Sequence, residues 1–267
     1  MTAVYIILGA IAFLVLLYIF LIFPSLKKHP QKERLKGIYV AHRGLHDETL
    51  PENSLPAFRA AISGGYAIEI DIHITADGEI VVFHDDTAKR VCGVDRKIEE
   101  MTLKEIKELR LQNTDCTVPT LKECLDTVNG QSPLLIEFKA MSIQTANKLC
   151  TGANKILSEY KGEYFVQSFY PFVLSWYRKN RPDVLRGQLS TAFKGEELYK
   201  KAVANLLTNV IARPHFVSYE HKYSKNLSLK LNKLFGAVLI CWTLKSDAKL
   251  QKAKENFSGF IFEDFIP

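Results

Sequence analysis

Five short segments between His42 and His84 carry most of the chemistry legible in this chain of 267 residues. They are Val40-Ala41-His42-Arg43-Gly44, Pro51-Glu52-Asn53-Ser54, Glu69-Ile70-Asp71, Thr75-Ala76-Asp77-Gly78 and His84-Asp85. Imidazoles titrate near neutrality, so one of the pair His42 and His84 can take a proton while the other gives one. Glu69 and Asp71 stand two apart, which puts both carboxylates on one side of an extended strand. Carboxylates so placed repel each other and resist burial as anions; a divalent cation relieves both costs. Glu137 adds a third oxygen donor, and an all-oxygen set suits Mg²⁺ or Ca²⁺ rather than Zn²⁺. The competing reading of the same carboxylates is a structural salt bridge with Arg43 or Lys139. Arg43 and Lys139 also offer positive charge for a phosphate, Arg43 through a planar fork. His29, His46, His73, His215 and His221 are read as structural. Neither a GxxxxGK[ST] phosphate loop nor a GxSxG elbow is present.

Something must bring these residues together. Apolar runs rich in β-branched or aromatic residues recur at Gly37–Ala41, Ala67–Asp71, Leu134–Phe138, Tyr164–Gln167, Val184–Leu189, Phe216–Tyr219, Ala237–Cys241 and Gly259–Phe262. Helical patterns alternate with them, including Leu55–Ser63, Ile143–Tyr160, Pro171–Lys179, Gly195–Asn205 and Ser246–Glu255. Such alternation predicts a parallel sheet, and eight strands match a (β/α)₈ TIM barrel; a doubly wound open sheet is the alternative. Active sites of such barrels lie at the C-terminal ends of the strands. His42 and Arg43 follow the first run, Glu69 and Asp71 close the second, and Glu137 and Lys139 close the third. Gln167 and Ser168 end the fourth, and Trp242, a candidate substrate contact, follows the seventh. Glu79–His84 breaks the alternation as an extra strand after an Asp-Gly turn. Residues 74–120 are therefore expected as an insertion after the second strand. It contains a helix over Thr102–Leu109, with Thr102 as N-cap and Glu105 three residues on.

The first 26 residues contain no charged side chain, and Val4–Phe23 is uninterrupted apolar sequence stopped by Pro24. A helix of ~20 residues spans about 30 Å, the thickness of the hydrocarbon core. A cleaved signal peptide needs a basic n-region and a small-residue cleavage site, and this segment has neither. The expectation is one transmembrane anchor over residues 1–26, a basic linker over 27–36 and a barrel domain over 37–267. Lys27, Lys28, Lys32, Arg34 and Lys36 against Glu33 carry most of the net charge of +6. Charge placed beside the anchor suits anionic lipid headgroups and leaves little for nucleic acid, which is not expected as a partner. With basic residues only after the helix, the barrel is predicted to be cytoplasmic. Five cysteines without a CxxC agree with a reducing compartment. No motif specifies an oligomeric state.

The segments taken together resemble the glycerophosphodiester phosphodiesterase family. The matching pieces are HRG (His42–Gly44), PENS (Pro51–Ser54, usually PENT), ExD (Glu69, Asp71), TxDG (Thr75–Gly78), VVxHD (Val81–Asp85), PTL (Pro119–Leu121), IEFK (Ile136–Lys139, usually IEIK), QSF (Gln167–Phe169) and CWTL (Cys241–Leu244). They run in the family order over roughly residues 38 to 264. The resemblance implies a TIM barrel that hydrolyses a glycerophosphodiester to glycerol 3-phosphate and an alcohol. It matches His42 and His84 to the acid/base pair, and Glu69, Asp71 and Glu137 to the metal ligands. Arg43 and Lys139 match phosphate contacts, and Glu52 a residue that orients the site. Two positions depart from the pattern: Lys245 stands where Asn is common, and Phe262-Glu263-Asp264 replaces a terminal Thr-Asp. They bear on the alcohol side of the substrate. The rival readings are a lysophospholipase D acting on membrane lysolipids and a catalytically silent membrane-bound binding module.

Overall fold

The computed structural model describes residues 2–27, 29–193, 195 and 197–267. Nine strands form one sheet: β1 (Tyr39–Ala41), β2 (Ala67–Ile74), β3 (Ile80–Val82), β4 (Leu134–Phe138), β5 (Tyr164–Ser168), β6 (Arg186–Ser190), β7 (Phe216–Glu220), β8 (Val238–Leu244) and β9 (Gly259–Phe262). The order is β1-β9-β8-β7-β6-β5-β4-β2-β3, and β1 also pairs with β2. That last pairing closes eight parallel strands into a barrel and decides against the open sheet. β3 stands outside, antiparallel to the end of β2 through Ile72↔Val82 and Ile74↔Ile80. This hairpin carries β2 three residues beyond the expected end at Asp71.

Period-two alternation sorts the side chains. Ile68, Ile70 and Ile72 of β2 face outward into the layer shared with the helices, and Ala67 joins the barrel floor with Val40, Leu135, Phe165, Phe216 and Ile261. The positions above the floor on the inward face are polar: Glu69, Asp71, Glu137 and Gln167, all buried. Gly187 makes the floor possible, since a Cβ there would lie 2.0 Å from the Phe216 ring.

Helices over Leu55–Ser63, Leu121–Val128, Ile143–Leu157, Pro171–Asn180, Leu198–Ala204, Leu227–Leu234 and Asp247–Ala253 wrap the barrel. Ser54 and Ser142 cap the N-termini of the first and third, and Thr120 with Glu123 forms a capping box on the second. The helix expected from Gly195 starts only at Leu198, because Gly195 has φ +133; Glu196 of that expectation lies outside the described residues. Residues 75–120 leave the barrel and build a small core of their own from Phe83, Ile98, Met101, Ile106, Leu111 and Val118. The Thr102–Glu105 capping box is present at its helix, Leu103–Lys107.

Helix α1 (Thr2–Ile22) is long and apolar enough to cross a membrane, or to act as a signal sequence. Its last turn is tied to the domain. Asn209 and Asn232 both donate to the Ile22 carbonyl, at 2.8 and 3.1 Å, and Arg213 donates to the carbonyls of Phe20 and Phe23. The stretch read as a basic linker is likewise packed rather than free. Residues Pro30–Leu35 form a 3-10 helix that presses Leu35 into the barrel floor, and His29 reaches the Asp183 carbonyl. Lys28 lies outside the described residues.

Candidate active site

The strand ends bring the expected residues to one opening. His42, Arg43, Glu69, His84, Glu137 and Lys139 line a cavity of about 390 Å³ at the C-terminal end of the barrel, and Trp242 and Phe169 form part of its wall. Asp71 and Glu52 are buried just behind it. Glu52 does not line the cavity: it holds Arg43 Nη1 at 2.9 Å from behind.

The turn after β1 aims Arg43. Arg43 itself has φ +56, and Gly44 follows at φ +84 where a Cβ would lie 2.9 Å from that of Ala57. Only glycine fits this approach, and the bend turns the Arg43 amide onto Glu69 Oε2 at 3.1 Å. Asn53, also left-handed at φ +54, donates from Nδ2 to Asp71 Oδ2 at 3.0 Å. Register does the rest: Asp71 of β2 stands opposite Glu137 of β4. Glu69, Asp71 and Glu137 bring one oxygen each within 4.8 Å of one another.

Each histidine is held by a carboxylate through Nδ1. His42 meets Glu263 Oε2 at 2.5 Å, and His84 meets Asp85 Oδ1 at 2.6 Å. Glu263 is in turn paired with Lys245 at 2.6 Å. Asp85 is paired with Arg90, which also grips Glu52 through two hydrogen bonds of 2.7 and 2.8 Å. Sequence reasoning did not single out Glu263, Arg90 or Asn53 for these contacts, whereas Asp85 is the polar residue that follows His84 directly. Asp85 and Asn53 sit inside motifs already quoted, and Glu263 follows the last strand at the mouth. Arg90 carries no local signal.

Burial sets the protonation states. It lowers the His42 pKa, against the hydrogen bond that Nδ1 donates to Glu263, and it lowers that of His84, against the charge of Asp71. Both imidazoles are therefore neutral near pH 7. Burial together with Asp71 and Glu137 pushes Glu69 well above the usual carboxylate range. Burial raises Glu137 to about 7 despite Lys139. Asp71 goes the other way: burial opposes its ionisation, but the charges of Lys139 and Arg43 hold it ionised.

This donor set fits a hard divalent cation. Lys139 Nζ lies 2.9 Å from Asp71 Oδ1 and 2.7 Å from Glu137 Oε1. Arg43 and Lys139 offset only two of the three carboxylates, and the remaining charge is the kind that ion coordination absorbs.

Comparison with known proteins gives the same picture. Residues 42–265 match the profile of the Glycerophosphoryl diester phosphodiesterase family. A lysophospholipase D of Rattus norvegicus is 28% identical over 95% of this chain and 91% of its own length. A glycerophosphodiester phosphodiesterase of Caldanaerobacter subterraneus is 30% identical over 58% of this chain and 67% of its own. Among solved structures, the Thermotoga maritima glycerophosphodiester phosphodiesterase superposes with TM-score 0.67 at 28% identity, covering 84% of this chain and 93% of that one. An Oleispira antarctica phosphodiesterase, solved with sn-glycerol-3-phosphate, shares the fold with TM-score 0.72 at 21% identity over 87% of this chain and 95% of that one. The profile match spans the whole barrel from His42 onward, and with it the chain belongs to the glycerophosphoryl diester phosphodiesterase family, a divalent-metal-dependent phosphoric diester hydrolase that cleaves glycerophosphodiesters to glycerol 3-phosphate and an alcohol.

Proposed function

We propose that His42 and His84 are the acid/base pair of this hydrolysis. Nδ1 of each is committed to a carboxylate, which leaves Nε2 free to exchange a proton with substrate. Their neutral form at pH 7 suits one as proton acceptor, and Glu263 and Asp85 stabilise the imidazolium that forms. Arg43 and Lys139 contact the phosphate, Glu52 orients Arg43, and Trp242 packs against the substrate. Glu69, Asp71 and Glu137 would hold Mg²⁺ or Ca²⁺, which when bound polarises a phosphoryl oxygen.

The observation that carries this reading is the opening of both imidazoles and the acidic cluster onto one cavity. The test is release of glycerol 3-phosphate from glycerophosphocholine by the purified chain, with EDTA and with Mg²⁺ or Ca²⁺ added back. Activity should vanish in EDTA and return with metal. His42→Ala and His84→Ala should each lower the rate by about 10² to 10⁴. Full rates in both variants would remove the acid/base assignment.

We further infer that α1 anchors the chain in a membrane, with residues 37–267 in the cytoplasm. What supports an anchor over a cleaved leader is the built-in last turn: cleavage would strip Asn209, Asn232 and Arg213 of their carbonyl partners. A C-terminal reporter should be active inside the cell; one active only outside overturns the orientation.

A further inference from the structure

The path of α1 fixes which end of the barrel meets the bilayer. The helix Leu227–Leu234 follows β7, so it starts at the cavity end and finishes near the floor. Tyr18 of α1 hydrogen-bonds Ser228 at the starting end of that helix, at 2.7 Å. Phe23 stacks on Phe235 at the finishing end, with ring centroids 4.6 Å apart. Traced back from Ile22 toward its N-terminus, α1 therefore runs from floor to rim, and its free stretch leaves on the side to which the catalytic cavity opens.

That rim is apolar over four consecutive strands. Met141 lies in the loop after β4, and Ile143 begins the helix that follows. Phe172 starts the helix after β5, Leu198 and Tyr199 the helix after β6, and Leu227 the helix after β7. All six are exposed, Met141 by 85% and Leu198 by 83%. The arc ends beside α1. Six exposed apolar side chains along one arc of a folded surface, with polar Ser142, Gln144 and Glu197 between them, mark a binding face. Beneath it the cavity wall is aromatic as well, with Phe169 set edge-on to Trp242 and to Phe193. Just past the β7 end of the arc, His221, Lys222, Lys225, Lys249 and Lys252 line a groove of about 700 Å³ with no acidic side chain in its lining among the described residues. Lys222 also meets Glu220 at 3.2 Å.

We propose that this half-rim is a membrane seat: the six apolar side chains enter the interface of the bilayer that holds α1, and the neighbouring lysines meet its anionic headgroups. The cavity then faces the lipid. A phosphodiester bearing one acyl chain can pass its headgroup into the site without leaving the bilayer, its chain lying along Phe169 and Trp242. The seat rests on the reading of α1 as an anchor and deepens the hydrolytic function.

The test uses the full chain in vesicles of phosphatidylcholine and phosphatidylglycerol, with brominated lipid as a quencher of tryptophan. Leu198→Trp reports the rim; Lys161→Trp, exposed at the floor end of β5, reports the far side. After subtraction of the parent signal, quenching of the Leu198→Trp protein should exceed that of the Lys161→Trp protein several-fold. In the Met141→Glu/Leu198→Glu variant, the rate on vesicle-embedded lysophosphatidylcholine relative to soluble glycerophosphocholine should fall at least 10-fold. Chain that does not float with the vesicles overturns the anchor and the seat together. Chain that floats but shows equal quenching at both positions, or an unchanged rate ratio in the double variant, overturns the seat alone. A shielded Leu198→Trp in a particle of doubled protein mass assigns the arc to a second copy and overturns it too. Loss of turnover on both substrates with the quenching contrast intact falls on the catalytic assignments, not on the seat.

Discussion

His42 Nδ1 and Glu263 Oε2 lie 2.5 Å apart, joining the residue after the first barrel strand to the residue after the last. The contact seals the barrel seam and fixes the imidazole in one step. Glu263 stays ionised although burial opposes it, because His42, His46 and Lys245 surround it.

Glu263→Gln is therefore expected to slow hydrolysis by about 10- to 100-fold while the fold persists. The sign of its pH effect is set by the environment. Burial lowers the His42 pKa and the Glu263 hydrogen bond raises it, so removing the anion lowers it further. The acid limb of kcat/KM should move to lower pH in the variant. An acid limb that stays put would show that His42 is not the group titrating there.

In metal-free protein, the Glu137 carboxyl by itself should take stability away as pH rises from about 4.5 to about 7. Glu137 has its folded pKa raised to about 7 from 4.5. Across that window the folded state keeps a proton that the unfolded chain has released, so stability falls with pH. A bound dication favours the charged form and cancels the effect. Thermal melts with EDTA and with Mg²⁺ should show a Tm gap that widens toward neutral pH; a constant gap would sink the account.

Asn53→Ala is expected to weaken metal affinity by about 10- to 100-fold, because Asn53 Nδ2 holds Asp71 Oδ2 from outside the donor cluster. Asp71→Asn should weaken it more. Metal titration of the rate separates the two: the Asn53 variant regains its full rate at high metal, whereas the Asp71 variant regains only part.

Gly187→Ala should destabilise the barrel by about 1 to 3 kcal/mol, since the new methyl group meets the Phe216 ring in a full floor. Denaturant melts read this directly, and the loss should persist with saturating metal.

The barrel was legible because each strand announces itself locally. Leu134–Phe138 and Gly259–Phe262 were bounded correctly from apolar runs alone. β2 ran past its expected end because its last residues pair with β3, a partner supplied by the insertion. β8 continues past Cys241 to Leu244 across a register shift, which no period-two pattern encodes. In the site, residues inside motifs converge as the strand ends dictate. Glu263 and Arg90 were missed as partners because their roles depend on contacts across the barrel seam and between insertion and barrel. Packing of residues 29–36 is hidden by their charged neighbours, among which Leu35 is the buried residue.

Glu52 accepts hydrogen bonds from Arg43 of the barrel and Arg90 of the insertion. The guanidinium proposed to contact the phosphate and the carboxylate that supports His84 thus lean on one carboxylate, while the segments carrying the two arginines feed different apolar clusters, Ala41 in one and Val91 in the other. Turnover then depends on how the two bodies sit against each other, not only on whether each is folded. Mild denaturant that loosens their seam should silence the enzyme before either cluster melts.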